Sequence, residues 1–426
     1  MRKKVIILAF AIVALVLAGV AVAAYLRATD TPETGLDTEL SGVSVETATE
    51  ELTTTEETTP TDTTEQPPAK PVEGPCWEFF GGDPQRSLAR ENINLGRPRR
   101  PDWARGLRDL MEFPPVYCDG VLYVNLNNGR TVAVDAETGE VIWRRKVTNL
   151  MASSPAIAGP LLIVSSFDGS VRGLRRSDGK MIWRVRTADK VESSPVVVDN
   201  TVYFGSGDGR LFAVNAVTGA IRWAYDTGGL INASPSIWGN RVCITTYAGS
   251  IVCVRRRDGS ELWTTYVKRD LLRYESFYAS ASTDGQRLYT TARSGKIVAL
   301  SLQSGSTVWT YETGALGYAT PAIAHGRVYV GSFDGNLRAF RATNGNVMWS
   351  TQVGGKILAP AIVVGNLVFV STLNGKTFGL RVSDGKIVWR YRGGAYSPGI
   401  ATKRRYYFTF NGLLVSFCAE RSRCTR

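Results

Sequence analysis

Histidine is almost missing from this chain: 426 residues hold one, His325. No HExxH, Ser-His-Asp or Cys-His constellation is written around it, so zinc-protease and nucleophile–base chemistries lack their parts. His325 falls in an Ala324-His325-Gly326 turn and reads as a solvated turn residue, not a general base. A helical hydrophobic period is missing too. No stretch after residue 110 sustains one, which excludes tetratricopeptide, ankyrin and armadillo solenoids. Gly205-Ser-Gly207-Asp-Gly209 imitates a phosphate loop, but the helix such a loop must open does not follow. Aromatic residues are absent from positions 28–75, which hold 14 Thr and 12 acids against one base, Lys70. Such a stretch cannot bury enough apolar surface to offset its chain entropy. It reads as a disordered spacer of roughly 40 Å root-mean-square reach, with a composition also suited to O-glycosylation.

What is present divides by charge. Residues 1–27 hold four bases and no acid, and residues 28–75 sum to −11. The total of +12 therefore leaves +19 for residues 76–426, a basic globular part on an acidic tether. Arg2, Lys3 and Lys4 precede an uncharged run from Val5 to Leu26. As a helix the run would be about 33 Å long, enough for a bilayer core of about 30 Å. The bases before it place the amino terminus in the cytoplasm and the remainder outside. The alternative is a cleaved signal peptide, because Ala21-Val22-Ala23 resembles a small-residue cleavage site. Either way the rest is exported, which argues against nucleic acid as a partner. No lipobox cysteine stands near the run.

The organising feature is Gly139-Glu-Val-Ile-Trp143. A Gly, three residues and a Trp recur at Gly179–Trp183, Gly219–Trp223, Gly259–Trp263, Gly305–Trp309, Gly345–Trp349 and Gly385–Trp389. The tryptophans step by 40 residues, except for one step of 46 after Trp263, and Trp103 lies a further 40 before Trp143. Within a repeat, four short β-rich runs are separated by Asp, Asn and Gly turn signals, as in Thr201–Ser206, Gly207-Asp208-Gly209 and Arg210–Asn215. Four antiparallel strands per repeat make a blade, and blades arranged radially make a propeller. The Trp supplies a large flat area for packing one blade on the next, and the Gly closes the turn into the last strand, where positive φ is easy.

Seven full repeats end at Trp389. One more set follows, Ser397–Ile400, Tyr406–Phe410 and Leu413–Phe417, lacking a fourth strand and a Trp. The segment around Trp103 has a strand and no blade. Joining the two removes two exposed sheet edges. The expected fold is therefore all-β: an eight-bladed propeller over residues 76–418 with a three-plus-one closure. Before it come the 1–27 anchor and the 28–75 linker, and after it a 419–426 tail.

Ala133-Val-Asp135-Ala-Glu-Thr138-Gly139-Glu-Val-Ile-Trp143 resembles the tryptophan-docking motif A-x-D-x-x-T-G-x-x-x-W of PQQ-type propellers, and Ala213–Trp223 nearly matches it. The stretch Trp77-Glu-Phe-Phe80-Gly-Gly-Asp83-Pro84-Gln-Arg86 also resembles the segment that opens these propellers. The resemblance covers roughly residues 77–418. It implies one of two things: a quinoprotein dehydrogenase holding PQQ and calcium on the axis, or a quinone-free scaffold similar to the outer-membrane assembly factor BamB. The blades here carry almost no insertions. No two cysteines are adjacent, whereas some quinoprotein dehydrogenases stack PQQ on a vicinal disulfide. The acids lie mostly in repeated turns spread around the ring, where they do not converge as calcium ligands must. The expectation is a monomeric, non-catalytic interaction scaffold at the cell envelope, with neither PQQ nor calcium. The alternatives are a reduced quinoprotein dehydrogenase and a module binding carbohydrate or an anionic wall polymer.

Among candidate sites, Asp168-Gly169, Asp208-Gly209 and Asp334-Gly335 read as turn formers rather than metal ligands. Cys243 and Cys253 occupy slots that face each other across the second and third strands, within disulfide reach in an exported chain. Cys76, Cys118, Cys418 and Cys424 lie near the chain ends and allow three pairings. The long step places Lys268, Arg269 and Arg273 in a loop that shares a face with turns carrying Arg130, Arg210, Arg293, Lys296 and Lys376. These eight predict a basic ring for an anionic partner, such as a wall polymer, lipid head groups or an acidic protein. Bases on the other face, including Arg255-Arg256-Arg257, work against a one-sided reading.

Overall fold

The computed structural model describes residues 44–47, 76–394, 396–397, 399–410 and 412–419. The chain divides into two units, Met1–Ser41 and Gly42–Arg426. The expected anchor, most of the linker and the final residues lie outside the described residues. Among the described residues no helix is long and apolar enough to cross a membrane.

The second unit contains eight antiparallel sheets of four strands, two of them extended by a fifth. Blade 1 consists of Val116–Cys118, Val121–Asn125, Arg130–Asp135 and Val141–Lys146 in sheet order. Blades 2 to 7 repeat this order, and the short first strands of neighbouring blades approach each other around the axis. Strands two and three are buried on both faces, as in Leu161–Ser165, because each blade is covered by two neighbours. The outer strands lie mostly open, as in Val141–Lys146. In blades 1 to 7 a bulge shifts the register between strands three and four just after the small residue that pairs with the Trp: Ala133, Gly173, Ala213, Cys253, Ala299, Ala339 and Gly379.

Each docked Trp reaches into the next blade. The indole Nε1–H groups of Trp103, Trp143, Trp183, Trp223, Trp263, Trp309 and Trp349 donate to the carbonyls of Ala136, Arg176, Ala216, Arg256, Leu302, Ala342 and Val382 at 2.8–3.1 Å. The ring then lies on the repeated Gly of that blade. A Cβ at Gly139, Gly179, Gly219, Gly259, Gly305, Gly345 or Gly385 would stand 2.5–2.8 Å from it. The glycine thus does more than close its own turn: it is the flat seat for the preceding Trp. Trp389 departs from the pattern. It packs among Phe369, Tyr391, Phe408 and Phe417 instead.

Blade 8 is composite. Ile400–Ala401, Arg405–Phe410 and Leu413–Ala419 are completed by Pro98–Gly106, with Trp103 opposite Ser416 and Ala104 opposite Val415. Arg405, 4% exposed, ties the seam by pairing with Asp102 and with Glu137 of blade 1, the latter at 2.7 Å.

The chain ahead of the blades fills the axis. Trp77 pairs with Tyr117, and the carbonyls of Glu78, Pro84, Gln85, Ser87 and Leu88 accept the N–H groups of Ile157, Ile237, Thr283, Ile323 and Val363. Those residues lie on or beside the first strands of blades 2, 4, 5, 6 and 7, so one segment satisfies edge donors around the ring. Ala89–Arg90 adds a parallel fifth strand to blade 7. At the centre sits Arg86, fully buried, donating to the carbonyls of Pro235, Phe80 and Ser194 at 2.5, 2.6 and 3.0 Å. Burial pulls its pKa down to about 9, which leaves it cationic at neutral pH.

Disulfides join Cys76 to Cys118 and Cys243 to Cys253. Cys418 is also disulfide-bonded. The blade 4 bridge has a local logic. In blades 1, 3, 5 and 6 the corresponding second-strand residue is Tyr123, Tyr203, Tyr289 or Tyr329. Its ring crosses the small third-strand residue to meet Trp143, Trp223, Trp309 or Trp349 at 5.8–6.0 Å. In blade 4 the Cys243–Cys253 bridge takes that place.

The linker is not uniformly without structure. Ser44–Thr47 forms a strand on the outer edge of blade 2, antiparallel to Met181–Arg186, with Ser44 opposite Arg186 and Thr47 opposite Trp183. Glu46 pairs there with Arg184 and lies 3.8 Å from Arg186. The charges are complementary, since this outer strand carries two arginines and no acid, but the outer strands of blades 1 and 7 are as basic, so charge alone does not select blade 2.

Candidate partner-binding face

Connections from each outer strand to the next blade share one face with the turns between strands two and three, and several converge at the axis. The buried Glu192, from the connection into blade 3, accepts from Lys190 at 2.6 Å and from the Tyr278 hydroxyl at 3.3 Å. Glu112, from the connection into blade 1, accepts from Asn127 at 2.9 Å. Burial raises the Glu112 pKa, and Glu192 nearby raises it further against the Asn127 hydrogen bond. Burial likewise lifts Tyr278 well above the ordinary tyrosine value, with Glu192 and Glu112 adding to it.

Around these acids stands an aromatic and cationic rim. Tyr278 lies 6.4 Å from Tyr247 and 5.9 Å from Tyr318, and Tyr318 lies 5.3 Å from Phe333. Lys190 and Lys356 each sit 5.5 Å over a ring, Phe167 and Phe333 respectively, within cation–π range. Arg293 donates to the Tyr318 hydroxyl at 3.1 Å. The rim presents half-buried rings and the exposed Lys356, while Lys190 is held by Glu192 beneath. The residues that make it come from connections far apart in the chain, and only their repeated position, seven residues after a Trp for Lys190 and Lys356, could have marked them in advance.

The eight bases expected to form a ring are distributed otherwise. Lys296 turns inward, its Nζ donating to the Lys268 carbonyl at 2.8 Å and lying 3.5 Å from Glu275 and 3.3 Å from Glu312. Arg210 pairs in register with Asp226, one guanidinium nitrogen buried. Arg130 is exposed opposite Lys146, and Lys376 opposite Arg392. Blades 7 and 1, which flank the seam, are therefore the basic ones, and the ring becomes an arc. Arg293 joins the axial rim instead. Lys268, Arg269 and Arg273 stand exposed in the long connection into blade 5, with Arg273 paired to Asp270 at 2.8 Å.

The turn acids are spent locally. Asp168, Asp208 and Asp334 accept the backbone N–H two residues on at 3.0–3.1 Å. Asp168 and Asp334 also pair with the buried Arg172 and Arg338. His325 has positive φ in its turn, and its Nε2 lies 2.8 Å from the Gly365 carbonyl. On the opposite face a cleft of about 740 Å³ opens between the axial segment and the turns between strands one and two, beside Glu78, Asp83, Arg90, Asp199 and Trp238. Arg90 is already bonded there to the Cys76 and Gly82 carbonyls.

Calcium takes roughly six to eight oxygen ligands. Glu112 and Glu192, each already engaged, do not supply them. Among the described residues the one cluster of potential metal ligands is Cys76, Glu78 and Cys118, and its two sulfurs form a disulfide.

A closed propeller with Trp-on-Gly docking in seven blade junctions defines a PQQ-like repeat protein. The family described as outer membrane protein assembly factor BamB matches residues 87–272 and 256–399, and the chain belongs to it. No curated protein matches. Among solved structures, BamB from Moraxella catarrhalis is similar at 18% identity and a TM-score of 0.64, covering 76% of this chain and 98% of its own. A europium-containing methanol dehydrogenase is similar at 14% identity and 0.71, covering 81% and 98%. Quinohemoprotein alcohol dehydrogenase from Comamonas testosteroni reaches 14% and 0.67, covering 82% and 81%. At these identities the likeness is one of fold.

Proposed function

We propose that this protein is a non-catalytic scaffold, exported and held at the membrane by its amino-terminal apolar run, which binds a partner on the axial face of the propeller. The observation that carries this reading is the axis mouth. Its two carboxylates are already committed to Lys190, Tyr278 and Asn127, while the half-buried Tyr278, Tyr318 and Phe333 and the exposed Lys356 line the mouth. Membership in the BamB family supports an assembly role. Two disulfides between described residues support an oxidising, extracytoplasmic setting. The partner is a protein or an anionic envelope polymer, not nucleic acid, and the propeller acts as a monomer.

The test is site-specific photocrosslinking of the full chain in cells that carry it. A photoreactive residue at Phe333 should yield discrete adducts that disappear in Lys190→Glu/Lys356→Glu, whereas one at Gln286, on the opposite face, should yield none. Equal adducts from both positions would remove the face assignment. The likeness to dehydrogenase structures motivates a second arm: incubation of the full chain with PQQ and Ca²⁺. Quinone absorbance retained through gel filtration, with dye reduction by alcohols or sugars, would overturn the scaffold reading in favour of a reduced quinoprotein dehydrogenase. Saturable pulldown on purified wall polymer or carbohydrate would favour the binding-module alternative.

A further inference from the structure

The connection into blade 5 is a built projection. Lys268 bridges to Tyr274, and the Arg269 N–H donates to the Arg273 carbonyl at 2.9 Å. Asp270 Oδ1 accepts the N–H groups of Leu272 and Arg273, both at 3.0 Å. This small hairpin holds Leu271 and Leu272 at 95% and 93% exposure. Directly behind the tip come three bases, Lys268, Arg269 and Arg273, against one acid, Asp270. Tyr266 and Tyr274 pack together at 5.2 Å, each half-exposed.

We propose that this hairpin is a membrane-contact element, in which Leu271 and Leu272 enter the acyl boundary of an anionic bilayer. The order of chemistry along the projection argues for lipid over a protein groove. An apolar tip, then cations at phosphate depth, then amphipathic tyrosines, follows the polarity profile of a bilayer interface. The charge complements anionic head groups, whose attraction for nearby bases falls off within a Debye length. Leu150 and Leu316, exposed in the connections into blades 2 and 6, lie on the same face. The inference rests on the envelope reading for the presence of a bilayer and is independent of any protein partner.

The test uses the full chain reconstituted into vesicles of phosphatidylcholine, with or without phosphatidylglycerol, and an environment-sensitive fluorophore on Leu272→Cys or, as control, Gln286→Cys. With phosphatidylglycerol the 272 probe should brighten severalfold and be quenched by lipid-borne nitroxides. Lys268→Glu/Arg269→Glu should abolish both effects, and the 286 probe should stay in water. If the chain co-floats with vesicles while the 272 probe remains open to aqueous iodide, the hairpin inference fails alone and a protein becomes its partner. If the chain does not co-float, the anchor reading fails with it. Equal insertion into pure phosphatidylcholine removes the role given to the bases.

Discussion

The ring of Trp183 rests on Gly219 of the next blade, while its Nε1–H donates to the Ala216 carbonyl at 2.9 Å. Gly219 has φ of +74°, and a Cβ there would stand 2.8 Å from the indole. Gly219→Ala therefore meets two penalties. A left-handed backbone costs a non-glycine residue about 1–2 kcal/mol, and overpacking adds about 1–3 kcal/mol. Gly228 has φ of +70° with nothing within 4 Å of a Cβ, so Gly228→Ala meets only the first. Denaturant midpoints should rank wild type, Gly228→Ala, then Gly219→Ala. Equal losses would mean that docking adds nothing to turn geometry.

The Cys243–Cys253 bridge closes a loop of separation 10, worth about 3 kcal/mol by loop entropy. Cys243→Ala/Cys253→Ala should lose roughly that amount. Cys243→Tyr/Cys253→Ala recreates the Tyr203–Ala213–Trp223 row of blade 3 and should recover much of the loss without a bridge. Thermal unfolding with and without reductant distinguishes the two, since only the wild-type blade should respond at this site.

Arg86→Met leaves the carbonyls of Pro235, Phe80 and Ser194 without their donor at the centre of the axis. Unsatisfied buried acceptors cost about 1–3 kcal/mol each. A destabilisation of at least about 3 kcal/mol is expected, together with faster hydrogen exchange at Ile157, Ile237 and Ile323, whose N–H groups the axial segment accepts. Unchanged exchange there would show that the segment is held by other contacts.

Acid should weaken the turns of blades 2 and 6. Burial pushes Asp168 up, but Arg172 with the Ser166 and Ser170 hydroxyls more than offsets it and holds the carboxyl well below the usual range. Asp334 is held down in the same way, chiefly by Arg338 and Ser332 against burial. A carboxyl with a depressed folded-state pKa contributes stability that is complete above its unfolded value, about 3.9, and is lost as pH falls toward the folded value. Asp168→Asn should therefore flatten the acid limb of the stability profile below about pH 4 and leave its slope near neutrality unchanged. A steeper acid limb in the variant would contradict the pairing.

Much of the architecture was legible before any coordinates. The 40-residue step of the tryptophans recurs in all repeats but one, so strand number, blade number and the Trp103 closure could be counted. The slots of Cys243 and Cys253 were legible for the same reason: each blade provides the register for the others. The seat for the Trp was not, because the Gly that receives it belongs to the following repeat and already had a sufficient reason to be glycine. A count of bases in turns is blind to Glu275 and Glu312, which take up Lys296.

Local chemistry, repeated seven times, was enough to specify each blade, since β-branched strands, Asp-Gly turns and a Trp at fixed spacing act over tens of residues. Closure of the ring decided the rest. Glu112, Glu192, Tyr278 and Phe333 become neighbours at the axis only once the ends of residues 98–419 are joined. Contacts across an axis depend on the sum of all the blade rotations, a quantity that no single stretch of sequence carries.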